Sequence, residues 1–466
     1  MKTLKSLIIS GREVLPLIEG GKGISVSTGH SAGAWAAAGA VGTFSGVYGD
    51  FYNEDNKLVP LIFSGKTRKE RSQELTSHAI KAAISQARIA HEISKGEGRI
   101  HMNVLWGITS IEKMLHEILA QTNTLIHGIT GGAGMPFKMA EIAAKYEVFY
   151  YPIVSSARAF SLLWRKSYVN FKEWLGGVVY EDPWKAGGHN GISNSENPNI
   201  PEDPYPRVLA LRAMMRSYGL DNVPIIMAGG VWFLRDWQDW IDNKELGPIA
   251  FQLGTRPLLT VESTISDEWK QKLVTIDPEQ ISSNHFSPTG FYSLAVENDF
   301  IKELQQRSSR QLSYATEPID NKTTPFVLNK INNRTIYLSD EDNENAKVWI
   351  KNGFDKIMHS PDSTIIFVSE KKCNEIRTDQ YECVGCLSYC RFSNWSENEE
   401  FAKTRSPDPR SYCIRKTLSD ISHGGNIEEN LMFSGTAAYL FAQDPFYKEG
   451  FVPTVKQLID RLLTGD

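Results

Sequence analysis

His189 is the residue whose type and surroundings most clearly suggest catalysis. It lies in the segment EDPWKAGGHNG, residues 181–191, with glycines on both sides and a short apolar run before it. Because glycine has no Cβ, the backbone and the imidazole can approach a flat ligand closely here. Histidine titrates near neutral pH and is the usual general base in enzymes. The segment therefore predicts proton transfer at His189, although Gly-Gly-His is also typical of a flexible turn.

Four cysteines form a second group that could carry chemistry. Cys383, Cys386 and Cys390 follow a C-x₂-C-x₃-C pattern, and Cys413 lies further along the chain. Four thiolates can ligate zinc or a [4Fe–4S] cluster. Buried cysteines without an ion instead pack as small apolar residues. The pattern leaves both interpretations open, and we interpret the separate Cys373 as structural.

The composition excludes several classes of function. The chain has 466 residues, a formal net charge of −5 and a pI near 6.1. It therefore lacks the basic surface that nucleic-acid binding needs, and its first apolar runs are too short for a signal sequence or a membrane span. Five cysteines, an odd number, argue against a secreted disulfide framework. We predict a cytoplasmic protein that acts on small molecules and binds neither nucleic acid nor membranes.

The elements that must position these groups alternate between strand and helix. Eight strand-like runs precede residue 254: two at the ends of residues 15–47, then 99–105, 124–129, 147–154, 177–180, 224–227 and 249–253. Segments with helical periodicity separate them, at residues 67–95, 111–119, 137–145, 157–171, 207–218 and 233–242. Such alternation implies parallel strands and matches a closed (β/α)₈ TIM barrel. An open doubly wound sheet is the alternative.

Glycine-rich or polar segments follow most of these runs, as an active site in such a barrel requires. Active sites in this fold form at the carboxyl ends of the strands. The segments are residues 20–21, Asn103, residues 131–136, 186–191, 228–230 and 254–256. The loops after the seventh and eighth strands bind phosphate in many barrels, through backbone N–H groups and a helix N-terminus. The chain therefore predicts an anion site at residues 228–230 and 254–256.

Four segments, LPLIEGGKGIS, AGGHNG, IIMAGGV and IAFQLGTRPLLTVES, resemble in order and spacing the nitronate monooxygenase family, formerly called 2-nitropropane dioxygenases. Flavin-dependent enoyl-ACP reductases are its relatives, and the resemblance covers about residues 15–300. It implies a TIM barrel that holds FMN and oxidises nitronates or nitroalkanes with O₂. The alternative activity is an NAD(P)H-dependent flavin reductase with a quinone or enoyl thioester as acceptor. A flavin-binding scaffold without turnover is the non-enzymatic alternative.

The resemblance also assigns roles to individual residues. The predicted cofactor-binding residues all lie in or after barrel strands; they are Gly21, Lys22, Asn103, Gly188, Ala228, Gly229, Gly230, Gly254 and Thr255. The last four of these would hold the FMN phosphate, and the first three would lie along the flavin ring and ribityl chain. His189 would take a proton from the carbon beside a nitro group or orient a nitronate.

Two lysines depart from the family pattern. Lys22 stands where the family usually has methionine, and Lys185 where many members carry an acid. Because lysine side chains usually extend their amine to water, we expect Lys22 to point to solvent rather than toward the flavin. The proline-rich loop at residues 192–206 fits either a lid or a stiff surface loop.

The composition changes after the barrel. We predict three parts: the FMN-binding barrel at residues 1–310, a small α+β insertion without assigned chemistry at 311–380, and a cysteine-bearing segment at 381–466. Within the insertion, residues 325–328, 335–338 and 364–368 resemble strands and 344–350 a helix. In the last part, the apolar stretch at residues 430–441 is expected to return and pack on the barrel.

Overall fold

A closed barrel of eight parallel strands is the central feature of the computed structural model, which describes residues 2–193, 195–329 and 334–464. The strands are β1 (Leu17–Glu19), β2 (Val41–Ser45), β3 (Arg99–Leu105), β4 (Gly128–Gly132), β5 (Phe149–Val154), β6 (Val178–Glu181), β7 (Ile225–Ala228) and β8 (Ile249–Leu253). Each strand pairs with the next, and β8 pairs with β1 to close the barrel. The predicted (β/α)₈ TIM barrel is confirmed.

An N-terminal hairpin closes one end of this barrel. Its strands, Leu7–Ile9 and Arg12–Val14, pair antiparallel. At the turn, the buried Ser10 hydroxyl lies 2.9 Å from His101 Nε2 and 2.7 Å from the Tyr151 hydroxyl. These contacts satisfy polar groups at the amino-terminal end of the strands. A ligand must therefore enter from the carboxyl end.

Helices surround the barrel and extend beyond it. Those before residue 310 are α1 (Gly29–Ala37), α2 (Arg68–Ser94), α3 (Ile111–Thr122), α4 (Met139–Lys145), α5 (Ala157–Lys166), α6 (Pro204–Ser217), α7 (Asp267–Leu273) and α8 (Asp299–Ser309). Thr67 and Glu70 form a capping box that fixes the start of α2. In the part of the chain that the structure describes, no helix combines the length and apolar character that a membrane crossing requires.

Three predicted elements differ from the structure. The fourth strand runs from Gly128 to Gly132 rather than over residues 124–129, because a Cβ at Gly131 would collide with Met139 and the chain can approach α4 closely only with glycine there. The predicted helix at residues 157–171 is α5 followed by a 3₁₀ helix at Tyr168–Trp174. Residues 233–242 contain only a 3₁₀ turn, Leu234–Trp237, because i→i+3 bonds there bring the Trp237 and Trp240 rings to 4.9 Å.

Residues after 310 form further sheets and helices. Strands Gln311–Ser313, Thr364–Val368 and Lys356–His359 form one sheet, and Thr324–Asn329 pairs with Arg334–Leu338. The helices are α9 (Asp340–Lys351), α10 (Glu370–Tyr381), α11 (Glu399–Lys403), α12 (Ile414–Ser419), α13 (Leu440–Gln443) and α14 (Val455–Thr464). The predicted strands and helix between residues 325 and 368 are therefore confirmed, whereas the division into parts at residues 310 and 380 remains a prediction.

Candidate active site

One cavity at the carboxyl end of the barrel contains every residue predicted to bind the cofactor. Its lining includes Gly21, Lys22, Asn103, Gly188, Ala228, Gly229, Gly230, Gly254 and Thr255, together with His189. Gly21 and Thr255, the first and the last of these residues, are more than 230 positions apart in the sequence. Only closure of the barrel brings them together. Their roles in binding and catalysis remain predictions.

The loops after β7 and β8 form a cradle suited to an anion. Gly229 and Gly230 have φ values of +96° and +76°, which non-glycine residues rarely adopt. A Cβ at Gly254 would meet no atom within 4 Å, so the backbone there faces open space. The buried hydroxyl of Ser434 lines the same cavity and has no hydrogen-bonding partner in the described residues. An unpaired donor beside exposed backbone fits a phosphate group.

His189 is held by a short strand outside the barrel. Gly188–His189 pairs antiparallel with the strand Ser293–Val296. The Nε2 atom of His189 lies 2.6 Å from the Ser287 hydroxyl, and this hydroxyl lies 2.8 Å from Thr289 Oγ1 and accepts the Thr289 N–H at 3.3 Å. Burial lowers the pKa of His189 to about 4. The imidazole is therefore neutral at physiological pH and can accept a proton.

Lys22 does not point to solvent, so that expectation is wrong. Its Nζ atom lies 3.1 Å from Glu19 Oε1 and donates to the Gly20 carbonyl at 2.8 Å. The Glu19 side chain is only 1% exposed and also accepts a hydrogen bond from the Ser31 hydroxyl. A buried carboxylate needs a counter-charge, and this requirement outweighs the hydration of the lysine. The Lys22 charge is therefore compensated within the cavity wall.

Glu181 is a cavity residue that the sequence analysis did not select. It is the last residue of β6 and lines the cavity. Burial, with a smaller effect from Asp182, raises the pKa of Glu181 to about 8. Its place at the end of a barrel strand was a signal that could have identified it. A carboxyl group that is mostly protonated near neutral pH therefore faces the same cavity as the neutral His189.

The C-terminal segment supplies one wall of the cavity. The Gly435 N–H donates to Thr255 Oγ1 at 2.9 Å, and the Thr436 N–H donates to the Lys185 carbonyl at 3.1 Å. A Cβ at Gly187 would lie 2.5 Å from Gly435 N, so glycine is required for this close packing. The predicted return of residues 430–441 to the barrel is confirmed, and the segment also borders the predicted phosphate site.

The four candidate metal ligands lie close enough to interact electrostatically, because Cys383, Cys390 and Cys413 all act on the pKa of Cys386. Cys383 Sγ accepts hydrogen bonds from the Ser393 hydroxyl at 3.1 Å and from Gly385 N at 3.4 Å. Burial raises the pKa of Cys390 to about 12 and that of Cys413 to about 11, and it also raises the pKa of Cys386 well above its ordinary value. Over residues 2–193, 195–329 and 334–464, no three His, Cys, Asp or Glu side chains are arranged to hold an ion. In the absence of a metal ion these thiols are protonated, and binding of zinc or a [4Fe–4S] cluster by the four cysteines remains a prediction.

The loop at residues 192–206 is anchored away from the cavity; its Asn194 lies outside the described residues. Glu196 and Glu202 form ion pairs with Arg207 at 2.7 and 2.6 Å. The Trp184 Nε1–H donates to the Asn197 carbonyl at 2.9 Å. Within the described part of this loop, no residue lines the cavity. The contacts favour a stiff surface loop over a lid.

Comparisons with known proteins agree with this architecture. A family model described as nitronate monooxygenase matches residues 7–465. Two solved structures are similar over 97% of this chain. FabK from Thermotoga maritima has 16% sequence identity, 92% of its own chain covered and a TM-score of 0.52. The enoyl reductase domain of MlnA from Bacillus amyloliquefaciens has 12% sequence identity, 93% of its own chain covered and a TM-score of 0.51. At these identities they show the fold alone. No curated protein matches the chain.

Proposed function

The chain belongs to the nitronate monooxygenase family, and from this membership and the cavity we propose that it is an FMN-dependent oxidoreductase that oxidises nitronates or nitroalkanes with O₂. Membership of the family supports a flavin-dependent oxidoreductase in general. The observation that carries the narrower proposal is the placement of a neutral His189 in the same cavity as the anion cradle after β7 and β8. The substrate is a small molecule, and O₂ is the proposed second reactant.

The residues at the phosphate cradle favour FMN as the flavin. The backbone N–H groups of Gly229, Gly230 and Gly254 and the hydroxyl groups of Thr255 and Ser434 would hold its phosphate. Because Gly435 packs against Thr255 at this end, the site favours a mononucleotide over a dinucleotide. When bound, the flavin would accept electrons from the substrate and deliver them to oxygen. The protein would contribute binding, orientation and a base.

We assign the base to His189. If its Nε2–H donates to the Ser287 hydroxyl, that hydroxyl can donate in turn to Thr289 Oγ1, and the other ring nitrogen, Nδ1, is free to accept a proton. In the described ranges, no hydrogen bond engages Nδ1. The imidazole would take the proton from the carbon beside the nitro group, and nearby aromatic rings, including Phe433 at 5.2 Å, would limit access of water.

The cofactor assignment gives a direct prediction. Purified protein should be yellow and release FMN on denaturation, and Gly229→Ala should retain at least tenfold less flavin. A Cβ at this position meets Ala186 N and Asp182 Cβ at 3.0 Å, and the φ value of +96° is strained for alanine. Gly219→Ala is the matched control, because Gly219 also has positive φ but lies outside the cavity. Release of FAD, or equal flavin content in both variants, would contradict the assignment.

A second measurement separates the three functions. Oxidation of a nitronate under air supports the monooxygenase proposal. Rapid bleaching of the flavin by NADPH without oxygen, followed by reoxidation with a quinone or an enoyl thioester, would instead identify the reductase. A flavoprotein that responds to neither treatment would be a binding scaffold.

A further inference from the structure

Arg415 is a charged residue of the cavity that forms no ion pair with any residue that the structure describes. It lies in α12, lines the cavity, and has a buried Nε atom without a hydrogen-bonding partner. No hydrogen bond or ion pair joins its guanidinium to any residue in the described ranges. Its one specific contact there is with the ring of Phe63, at 5.4 Å from the ring centroid. The side chain as a whole is only partly buried, so its guanidinium can reach a ligand in the cavity, and its unpaired donors favour a bound anion there.

Two neighbouring carboxylates have hydrogen-bonding partners other than Arg415. The Asp50 Oδ1 atom lies 3.1 Å from His423 Nε2. The Glu397 carboxylate accepts hydrogen bonds from the backbone N–H and the hydroxyl of Ser110. Lys22, another cation of the cavity wall, is compensated by Glu19, and Lys185 lines the cavity beside Gly230. Arg415 therefore keeps a net positive charge at its end of the cavity.

The surroundings of Arg415 indicate what else the ligand must have. Apolar side chains line the same cavity; among them are Val47, Ile108, Leu387, Ile414, Leu418 and Ile421. Such a wall favours an aliphatic body, and a single guanidinium matches a singly charged, planar carboxylate through two parallel hydrogen bonds. A phosphate dianion would need more donors or a second cation than this wall offers.

We propose that Arg415 determines substrate specificity by binding a carboxylate, so that the preferred substrate is an aliphatic molecule with a carboxylate remote from its reacting carbon. The reaction at that carbon is the proposed oxidation of a nitronate or nitroalkane with O₂, and the inference rests on that proposed function. The carboxylate remains unchanged in the reaction. Arg415 thus acts on the orientation of the substrate, while His189 acts on its proton.

The test compares two substrates that differ only by the carboxylate, 4-nitrobutanoate and 1-nitropropane. In Arg415→Gln, the ratio of kcat/KM values for the two should fall by about 10- to 100-fold, as expected for one charged hydrogen-bonded pair. Arg415→Lys should recover part of the preference, because it keeps the charge and loses the planar fork. Lys416→Gln is the control, since the exposed Lys416 carries the same charge but pairs with Asp379 at 2.8 Å and lies outside the cavity.

Binding provides a readout that does not depend on turnover. Calorimetric titration of the protein as purified should show that pentanoate binds to the wild type and the Lys416→Gln variant, but at least tenfold more weakly to Arg415→Gln. Pentanamide, which lacks the charge, should bind weakly to all three. If pentanoate binds in this pattern but no nitronate is oxidised, the proposed function fails and the carboxylate site stands.

Other outcomes would overturn the inference. Equal losses on both substrates in Arg415→Gln would show that Arg415 contacts the reacting group or supports the fold, and thermal denaturation would separate these two. An unchanged ratio of kcat/KM values would show that Arg415 does not recognise the substrate carboxylate. A selective loss of NADPH-dependent reduction would assign the guanidinium to a phosphate of the reductant instead.

Discussion

Replacement of His189 by alanine is expected to lower kcat/KM for neutral nitroalkanes by about 10²–10⁴-fold, the usual contribution of a positioned general base. The loss on pre-formed nitronates should be smaller, because their proton has already been removed. Flavin content should not change, since the predicted phosphate site lies on other loops. Steady-state oxygen consumption with each nitroalkane and its nitronate measures the difference between the two losses.

A nearby histidine serves as the control for this experiment. The His285 ring stacks on Tyr292 with the ring centroids 4.3 Å apart, and its Nε2–H donates to the Gly290 carbonyl at 2.7 Å, outside the cavity. His285→Ala should therefore leave both substrates nearly unaffected. If His189→Ala and the wild type turn over neutral nitroalkanes equally fast, His189 is not the base. Equal losses on the nitroalkane and the nitronate would indicate a role in orientation instead.

The pH dependence should agree with the same assignment. Burial lowers the pKa of His189 to about 4, so the neutral form that accepts a proton predominates above this pH. Activity on neutral nitroalkanes should therefore fall as the pH drops through about 4 and should not show the inflection near 6.5 that an exposed histidine would give. In His189→Ala this acid limb should disappear.

The sequence carried enough information for the barrel and for the residues that gather in the cavity. Strand and helix periodicity are local patterns, and in a parallel barrel the carboxyl ends of all strands face one side. For this reason Asn103, Gly229 and Gly254 could be assigned to one site before any distance was known. The strand at Gly128–Gly132 was displaced in the prediction because its glycines are required by close contacts with distant residues, such as that of Gly131 with Met139 of α4, which local patterns do not reveal.

Features that depend on long-range packing could not be predicted. The inward position of Lys22 follows from a buried Glu19 three residues earlier, and only the folded loop shows that Glu19 lacks another cation. No pattern in the sequence indicated a role for Arg415, since most arginines are solvated or paired. Its significance depends on the absence of a partner within the described residues, which is a property of the packed C-terminal segment rather than of any motif.

That C-terminal segment is attached to the barrel through a buried ion pair beside the predicted phosphate site. Arg256 follows Gly254 and Thr255 directly, and its Nη2 atom lies 3.2 Å from Asp444 Oδ2; both side chains are 0% exposed. Asp444 also accepts a hydrogen bond from Trp232 Nε1 at 3.2 Å and lies 3.4 Å from Arg461 of α14. One carboxylate therefore connects the loop after β7, the loop after β8 and the last helix.

Asp444→Ala is expected to lower the free energy of unfolding by about 3–5 kcal/mol, because it leaves Arg256 buried without its anion. Flavin retention should fall with it, since Thr255 adjoins Arg256 and Gly435 packs on Thr255. Chemical denaturation followed by tryptophan fluorescence gives the stability. Asp460→Ala is the control: Asp460 forms an exposed pair with Lys456, and such pairs contribute little.

The double variant Arg256→Met/Asp444→Leu distinguishes a charge effect from a packing effect. Replacement of both partners by apolar residues removes the unpaired charge, and buried pairs exchanged in this way often lose little stability. We therefore expect the double variant to be more stable than Asp444→Ala, and to retain flavin better. If it is less stable than the single variant, the hydrogen bond that Arg256 donates to the Tyr447 hydroxyl contributes more to this junction than the ion pair does. If Asp444→Ala is as stable as Asp460→Ala, the ion pair does not hold the C-terminal segment to the barrel.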